Sequence, residues 1–199
     1  MERISIKSRK KIFSIILSAG EGTRYKNGYK LLHLVNEKTM LQIVIDLVNQ
    51  LKFPKNFIIV NPLWEKIENN FKIPKNFFVL KNNEYKKGIS TSIKLAIKEI
   101  MKYDYLPEYV AIFLADMPFI LKEDVLKILN YCDGKNKIIA PFYKNKKGFP
   151  TLVHYSLFKE LLFIKGDTGL KQIIKKNPDL LKKIKFESNR VTMDIDQWL

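Results

Sequence analysis

Residues 12–17, Ile12-Phe13-Ser14-Ile15-Ile16-Leu17, run directly into Ser18-Ala19-Gly20-Glu21-Gly22-Thr23-Arg24, and the chain then reaches Lys30 by way of Tyr25-Lys26-Asn27-Gly28-Tyr29. A short, nearly all-apolar run of this kind reads as a strand buried on both faces. The small residues after it let backbone N–H groups approach an anion closely, and Arg24 and Lys30 supply neutralising charge. The stretch therefore predicts a central strand of a parallel sheet with a phosphate-holding loop at its carboxyl end. The ligand class it names is a nucleoside triphosphate or something similar. Two common phosphate loops do not fit: Thr23-Arg24 lacks the Gly-Lys-Ser/Thr ending of a P-loop, and Tyr25 stands where a dinucleotide fingerprint needs Gly or Ala. Taken alone, the loop also reads as a plain turn carrying two exposed basic residues.

Working outward, apolar runs at 57–60, 77–80, 110–114, 138–140, 151–153 and 191–193 are further strand candidates. Between them, Met40-Leu41, Val44-Ile45 and Leu47-Val48 have helical spacing, as do Ile93, Ala96-Ile97 and Ile100-Met101. Later helices are expected over 122–130, 156–163 and 168–176. This alternation predicts an α/β protein: a mainly parallel sheet of about seven strands, covered by helices on both faces. No repeat, low-complexity tract or Pro/Gly-rich linker divides the chain, so one domain over 1–199 is expected, with 1–11 as a basic N-terminal extension.

The length of 199 residues and the apolar fraction of 46% suit one such domain with a substantial core. No apolar run approaches the ~20 residues that span a bilayer, so a soluble cytoplasmic protein without a membrane partner is expected. A single cysteine, Cys132, excludes an intramolecular disulfide and most zinc sites. The formal charge of +16 comes from lysines spread along the whole chain, with no compact stripe and no nucleic-acid motif. Solvated helix faces account for it, no specific nucleic-acid partner is expected, and the charge favours polyphosphate ligands.

Other motifs carry chemistry at their own positions. Asp116, in Leu114-Ala115-Asp116-Met117-Pro118, follows a strand candidate, where a carboxylate can hold Mg²⁺ beside phosphate oxygens; its other reading is a helix cap. Gly88-Ile89-Ser90-Thr91-Ser92 opens a helix and suits a phosphate, a ribose or a base edge; alone it reads better as an ordinary Ser/Thr cap. Asp194 and Asp196, on an expected strand, would point to one face and complete a metal site begun by Asp116, or else belong to a frayed terminus. Asp167, in Gly166-Asp167-Thr168-Gly169, reads as the cap of the helix that follows it. His33 and His154 show no ligand spacing.

Together, the strand–Leu-x-Ala-Gly-x-Gly-x-Arg loop, Ala-Asp-Met-Pro, Gly148-x-Pro150, Gly166-Asp167-x-Gly169 and Asp194-x-Asp196 resemble the MobA-like nucleotidyltransferases. The likeness is to the molybdenum cofactor cytidylyltransferases in particular. It runs from about Ile12 to Asp196 and extends to Asn82, Gly88, Ser90 and Ser92, with Tyr85 in place of the family's aromatic. The chain departs from the pattern at Tyr25, at Phe149 and in the terminal Gln197-Trp198-Leu199.

The resemblance implies a three-layer α/β/α Rossmann-like nucleotidyltransferase fold. It also implies a Mg²⁺-dependent transfer of CMP from CTP to the terminal phosphate of molybdopterin, with release of pyrophosphate. Ala19 before the loop glycine implies CTP where guanylyltransferases carry glycine. Catalytic roles fall on Arg24, Lys30 and Asp116. Nucleotide contacts fall on Leu17, Ser18, Ala19, Gly20, Gly22, Thr23, Arg24, Lys30, Asn82, Gly88, Ser90 and Ser92, and metal ligation on Asp116, Asp194 and Asp196. The implied partners are CTP or another nucleoside triphosphate, molybdopterin or a similar phosphorylated acceptor, and a molybdoenzyme receiving the product. Rival readings are a nucleotidyltransferase for a sugar or polyol phosphate, a molybdenum-cofactor-binding chaperone without transferase activity, and a basic nucleic-acid-binding protein.

Overall fold

A computed structural model of the protein describes residues 12–20 and 29–195. Strand β1 (Ile12–Leu17) is buried throughout. The short antiparallel pair β2 (Leu34–Val35) and β3 (Lys38–Thr39) leads into helix α1 (Met40–Leu51). Next come β4 (Asn56–Val60), β5 (Phe77–Lys81), α2 (Ile89–Ile100), β6 (Tyr109–Leu114) and α3 (Lys122–Leu129). The chain continues with β7 (Ile138–Tyr143), β8 (Lys146–Lys147), β9 (Thr151–His154), α4 (Phe158–Leu161), α5 (Lys171–Lys176) and β10 (Leu181–Phe186).

The main sheet runs β10-β7-β9-β6-β1-β4-β5, with β8 folded back on β7 as a hairpin. All pairs along this path are parallel except those of β9, which is antiparallel to both β6 and β7. Alternate residues of the central strands point to opposite faces. Ile12 and Ile16 of β1, with Ala111 and Phe113 of β6, pack beneath α1 and α3. Phe13, Ile15, Val110 and Ile112 pack beneath α2, α4 and α5. These are the three layers that the alternation of elements requires.

Helix α1 is amphipathic. Met40, Leu41, Val44, Ile45, Leu47, Val48 and Leu51 form its buried stripe, each contributing about 1.5–3 kcal/mol by leaving water. A polar pair is sealed within the sheet: Ser14 Oγ donates to Asn56 Oδ1 at 2.6 Å, and the Asn56 amide donates to the Phe53 and Asn76 carbonyls. Both groups are satisfied, as burial demands.

From β1 the chain moves outward to β4 and β5, then returns to the other side of β1 as β6; β7 follows one place further out, β9 comes back antiparallel into the gap between them, and β10 forms the edge. The switch therefore lies between β1 and β6, and ligands of open α/β sheets bind beyond the carboxyl ends of strands at such a point.

The structure corrects the sequence reading in three places. Residues 191–193 do not form a strand; a single helical turn covers Asn189–Thr192, with Val191 fully buried against the core. The remaining strand of the main sheet is instead β10, whose Lys-rich pattern reflects an edge position with only Ile184 and Phe186 buried. The helix expected over 156–163 is shorter, a turn at Tyr155–Leu157 followed by α4.

Candidate active site

The carboxyl ends of β1 and β6 are tied together: the Ala115 N–H donates to the Leu17 carbonyl at 3.1 Å. On the other flank, Ser18 binds β4 twice, its N–H reaching the Ile59 carbonyl at 2.9 Å and its Oγ the same oxygen at 2.7 Å. Leu17, Ser18 and Ala19 are thus buried and fixed, and Gly20 is the first exposed residue of the loop. A Cβ built on Gly20 would meet nothing within 4 Å, so open space lies in front of it. Asn61 holds this turn from outside: its amide donates to the Gly20 carbonyl at 3.2 Å, while its Oδ1 accepts from the Leu63 N–H at 3.0 Å. Sequence reading missed Asn61. The available signal was an Asn-Pro step directly after a strand, a turn-forming pair.

Gly22, Thr23 and Arg24 lie outside the described residues, as does Asp196. Lys30 lies within them, opening a single helical turn (Lys30–Leu32). Its Nζ is 2.7 Å from Asp116 Oδ2, joining positions 86 residues apart in the chain. The pair is sheltered, with 16% of the Lys30 side chain and 26% of the Asp116 side chain exposed. The other carboxylate oxygen, Asp116 Oδ1, is buried and accepts no hydrogen bond from the described residues. An ionised oxygen in that state is costly unless a ligand comes to it. A hard divalent cation fits this donor, since Mg²⁺ and similar ions take one or two carboxylate oxygens and complete their shell with phosphate and water.

The segment after Val191 reaches the same place. The Ile195 N–H donates to the Asp116 carbonyl at 3.0 Å, and Asp194 Oδ1 lies 3.5 Å from Lys146 Nζ. Because 193–195 is not a strand, the alternation that was to aim Asp194 and Asp196 at one face does not apply. Among the described residues, no group of three or more His, Cys, Asp or Glu side chains converges as a metal cage.

Two anchors hold that segment. Arg190 forms a fork with the buried Asp124, Nε to Oδ2 at 3.1 Å and Nη2 to Oδ1 at 3.0 Å, and the carboxylate holds the Arg190 pKa above its usual value. Gly148 lies under Val191: a Cβ there would come within 1.9 Å of the Val191 carbonyl oxygen. The next N–H, that of Phe149, donates to the same carbonyl at 2.8 Å, and Phe149–Pro150 is a cis peptide.

Asn82, Gly88, Ser90 and Ser92 gather at the start of α2. Asn82 is buried and fully engaged. Its amide donates to Thr91 Oγ1 at 2.8 Å and Ser92 Oγ at 2.9 Å, and its carbonyl oxygen accepts from the Glu84 N–H at 2.9 Å. Gly88 has φ of +100°, and a Cβ would sit 2.5 Å from the Gly166 carbonyl carbon. That contact brings Asp167 to the helix, where its Oδ1 accepts from the Ile89 N–H at 3.0 Å. Asp167 therefore caps α2, not the helix that follows it in the chain, a long-range pairing that local spacing does not reveal. An open cleft of about 520 Å³ adjoins this corner, lined by Asn82, Ser90, Thr91, Lys94, Lys165 and Gly166 among others; neither Lys30 nor Asp116 lines it.

His154 is packed, with its Nδ1 2.9 Å from Ser156 Oγ and its ring edge-on to Tyr109. Burial lowers its pKa, and the charge of Lys137 adds to the effect. Burial also raises the Cys132 thiol pKa, assisted by Glu108 and Asp133. No helix among the described residues is long and apolar enough to cross a membrane.

Comparison with known proteins bears on the fold and the family. The family described as the MobA-like NTP transferase domain matches residues 14–181. Among curated relatives, the bifunctional protein GlmU of Buchnera aphidicola subsp. Schizaphis graminum is 27% identical over 143 residues, covering 71% of this chain and 30% of that protein. The chain thus spans about a third of the length of the curated relatives it matches. Rv0371C of Mycobacterium tuberculosis, solved in complex with manganese, superposes with a TM-score of 0.72 at 16% identity, covering 88% of each chain. The 4-diphosphocytidyl-2C-methyl-D-erythritol synthase of Anaerococcus prevotii superposes with a TM-score of 0.70 at 19% identity, covering 96% of this chain and 94% of the other.

Proposed function

The chain belongs to the MobA-like NTP transferase family, and we propose that within it the protein is a CTP:molybdopterin cytidylyltransferase of the cytoplasm, acting as a single domain. The reaction transfers CMP from CTP to the terminal phosphate of molybdenum cofactor, for delivery to a molybdoenzyme. The observation that carries nucleotidyl transfer is the Lys30–Asp116 pair at the β1/β6 switch, with Asp116 Oδ1 buried and unbonded. Ala19 before Gly20, in the resemblance drawn from sequence, supports CTP over GTP.

The chemistry asks little of a general base, because the attacking phosphate is already an anion. One of its oxygens forms a bond to the α-phosphorus of CTP as the bond from that phosphorus to the bridging oxygen breaks, and pyrophosphate leaves. The barrier lies in bringing two anions together and holding the charge that departs. Lys30 stands at the end of the loop to take a leaving-group oxygen, and Arg24 and the N–H groups around Gly20 and Gly22 share that load. Asn82, Ser90 and Ser92 form the corner assigned to the nucleoside. Asp116, through Oδ1, would hold a divalent cation such as Mg²⁺, with Asp194 or Asp196 as a second carboxylate. Such a cation, when bound, neutralises charge on the phosphates of the substrate.

The test is pyrophosphate release from each of the four nucleoside triphosphates in the presence of Mg²⁺ and, in turn, molybdopterin, a sugar phosphate and a polyol phosphate. The reading predicts release that requires CTP and molybdopterin together. Release with another acceptor would move the protein to that substrate class, and molybdopterin binding without any release would make it a carrier.

A further inference from the structure

Lys147 is a cation that the assignment above does not use. It ends β8, directly before Gly148-Phe149-Pro150, and its Nζ lies 2.7 Å from Thr151 Oγ1 and 3.3 Å from the Gly148 carbonyl. The same nitrogen stands 4.2 Å from the centroid of the Phe149 ring. Lys30 and Lys38 each reach an aspartate at 2.7 Å, but among the described residues no carboxylate pairs with Lys147. Burial lowers the Lys147 pKa to about 8, and the charge that adds to this is a second cation, Lys171 at the start of α5. A sheltered ammonium that meets another cation and no anion costs stability. Such a group is retained where a ligand supplies the missing charge.

Its place in the fold says which ligand. Thr151 pairs with Ile112 of β6, so the residues before it, Phe149 and Pro150, run antiparallel beside the carboxyl end of β6. Phe149 and Leu114 both pack against the apolar clusters on the two faces of the sheet, which places them together at its rim. Along this rim the order is the β1 loop, then Asp116 after β6, then the Lys147 corner before β9. In-line displacement requires the attacking group to enter opposite the leaving group. With the leaving pyrophosphate on the β1 loop, the opposite side of Asp116 is the β9 side.

We propose that Lys147, resting on Phe149 and Thr151, is the subsite for a phosphate monoester group of the acceptor, with Lys171 adding to its field. This assignment rests on the nucleotidyl-transfer reading for which group the anion belongs to. That the corner binds a phosphate rests on Lys147 itself.

The experiment is a calorimetric titration of inorganic phosphate into the native protein, Lys147→Met and Lys147→Arg, each with and without saturating CTP. In the CTP-loaded native protein phosphate binds. Lys147→Met weakens that binding about tenfold or more, the worth of one charge-assisted hydrogen bond, and Lys147→Arg stays within about threefold. CTP affinity is the same in all three. Unchanged phosphate affinity in Lys147→Met, or an equal loss of CTP and phosphate affinity, overturns the proposal. A native protein that binds no CTP defeats the cytidylyltransferase reading instead, and the titrations without CTP then decide for Lys147. Misfolding is excluded by Tm, which Lys147→Met raises at neutral pH by removing an unpaired cation.

Discussion

Asp116 and Asp124 flank one short connection between β6 and α3, yet they are used in opposite ways. Asp124 has no unused acceptor: Oδ2 takes the Leu121 N–H at 3.0 Å and Arg190 Nε at 3.1 Å, and Oδ1 takes Arg190 Nη2 at 3.0 Å. It starts α3 and fastens the C-terminal segment to it. Asp116 keeps one oxygen on Lys30 and leaves the other buried and unbonded. A fully satisfied carboxylate is part of the scaffold, whereas an incompletely satisfied one waits for a ligand. The contrast shows how to separate architecture from chemistry in this molecule, by counting what each buried polar atom has left to offer.

The two carboxylates are expected to respond in opposite ways to the same substitution. Asp116→Asn is expected to lower pyrophosphate release by about two to three orders of magnitude while Tm stays close to native, as measured by steady-state kinetics and calorimetry. Asp124→Asn is expected to do the reverse, with a clear drop in Tm. Any activity it loses should return as temperature is lowered, since it acts only by loosening residues 189–195. Equal losses of activity without loss of Tm in both variants would erase the distinction.

Lys30→Ala comes next, with an expected loss of about tenfold to a hundredfold in CTP affinity, read by equilibrium titration, and the fold retained. Gly88→Ala probes the scaffold at the start of α2. Its φ of +100° and the 2.5 Å approach to Gly166 predict a stability loss of about 2 kcal/mol or more by urea unfolding.

The smallest expected effect is a pH dependence at Lys147. Its ammonium is present below about pH 8 and lost above it, so affinity for sulfate, an anion that does not itself titrate here, falls between pH 7 and about 9.5. Lys147→Arg keeps its charge and flattens that profile. Among the described residues the charged group acting on Lys147 is Lys171 of α5, while Thr151, Gly148 and Phe149 beside it do not titrate. Because the folded pKa lies below the unfolded value, stability rises with pH between about 8 and 10.5, and this rise disappears in Lys147→Met.

Most of the sheet was legible in the sequence because its central strands are buried on both faces and leave unbroken apolar runs, as in Ile12–Leu17 and Tyr109–Leu114. The edge strand Leu181–Phe186 was not, because lysines occupy its exposed positions and only Ile184 and Phe186 are buried. Val191 misled in the other direction: a residue in a helical turn can be as buried as one in a strand, and a three-residue window has no period to tell them apart. Asp116 and Lys30 were legible as members of motifs, but their contact at 2.7 Å was not. Asp167 capping α2, and Lys147 meeting Lys171 with no carboxylate among the described residues, likewise depend on distant neighbours, and no local spacing encodes them.

The most direct test of the unspent oxygen on Asp116 is Mn²⁺ binding, followed by electron paramagnetic resonance, in native protein and Asp116→Asn, each saturated with CTP. A tight site is expected in the native protein and is lost in the variant while Tm and the fold are unchanged. Equal Mn²⁺ affinity in the two proteins would contradict it.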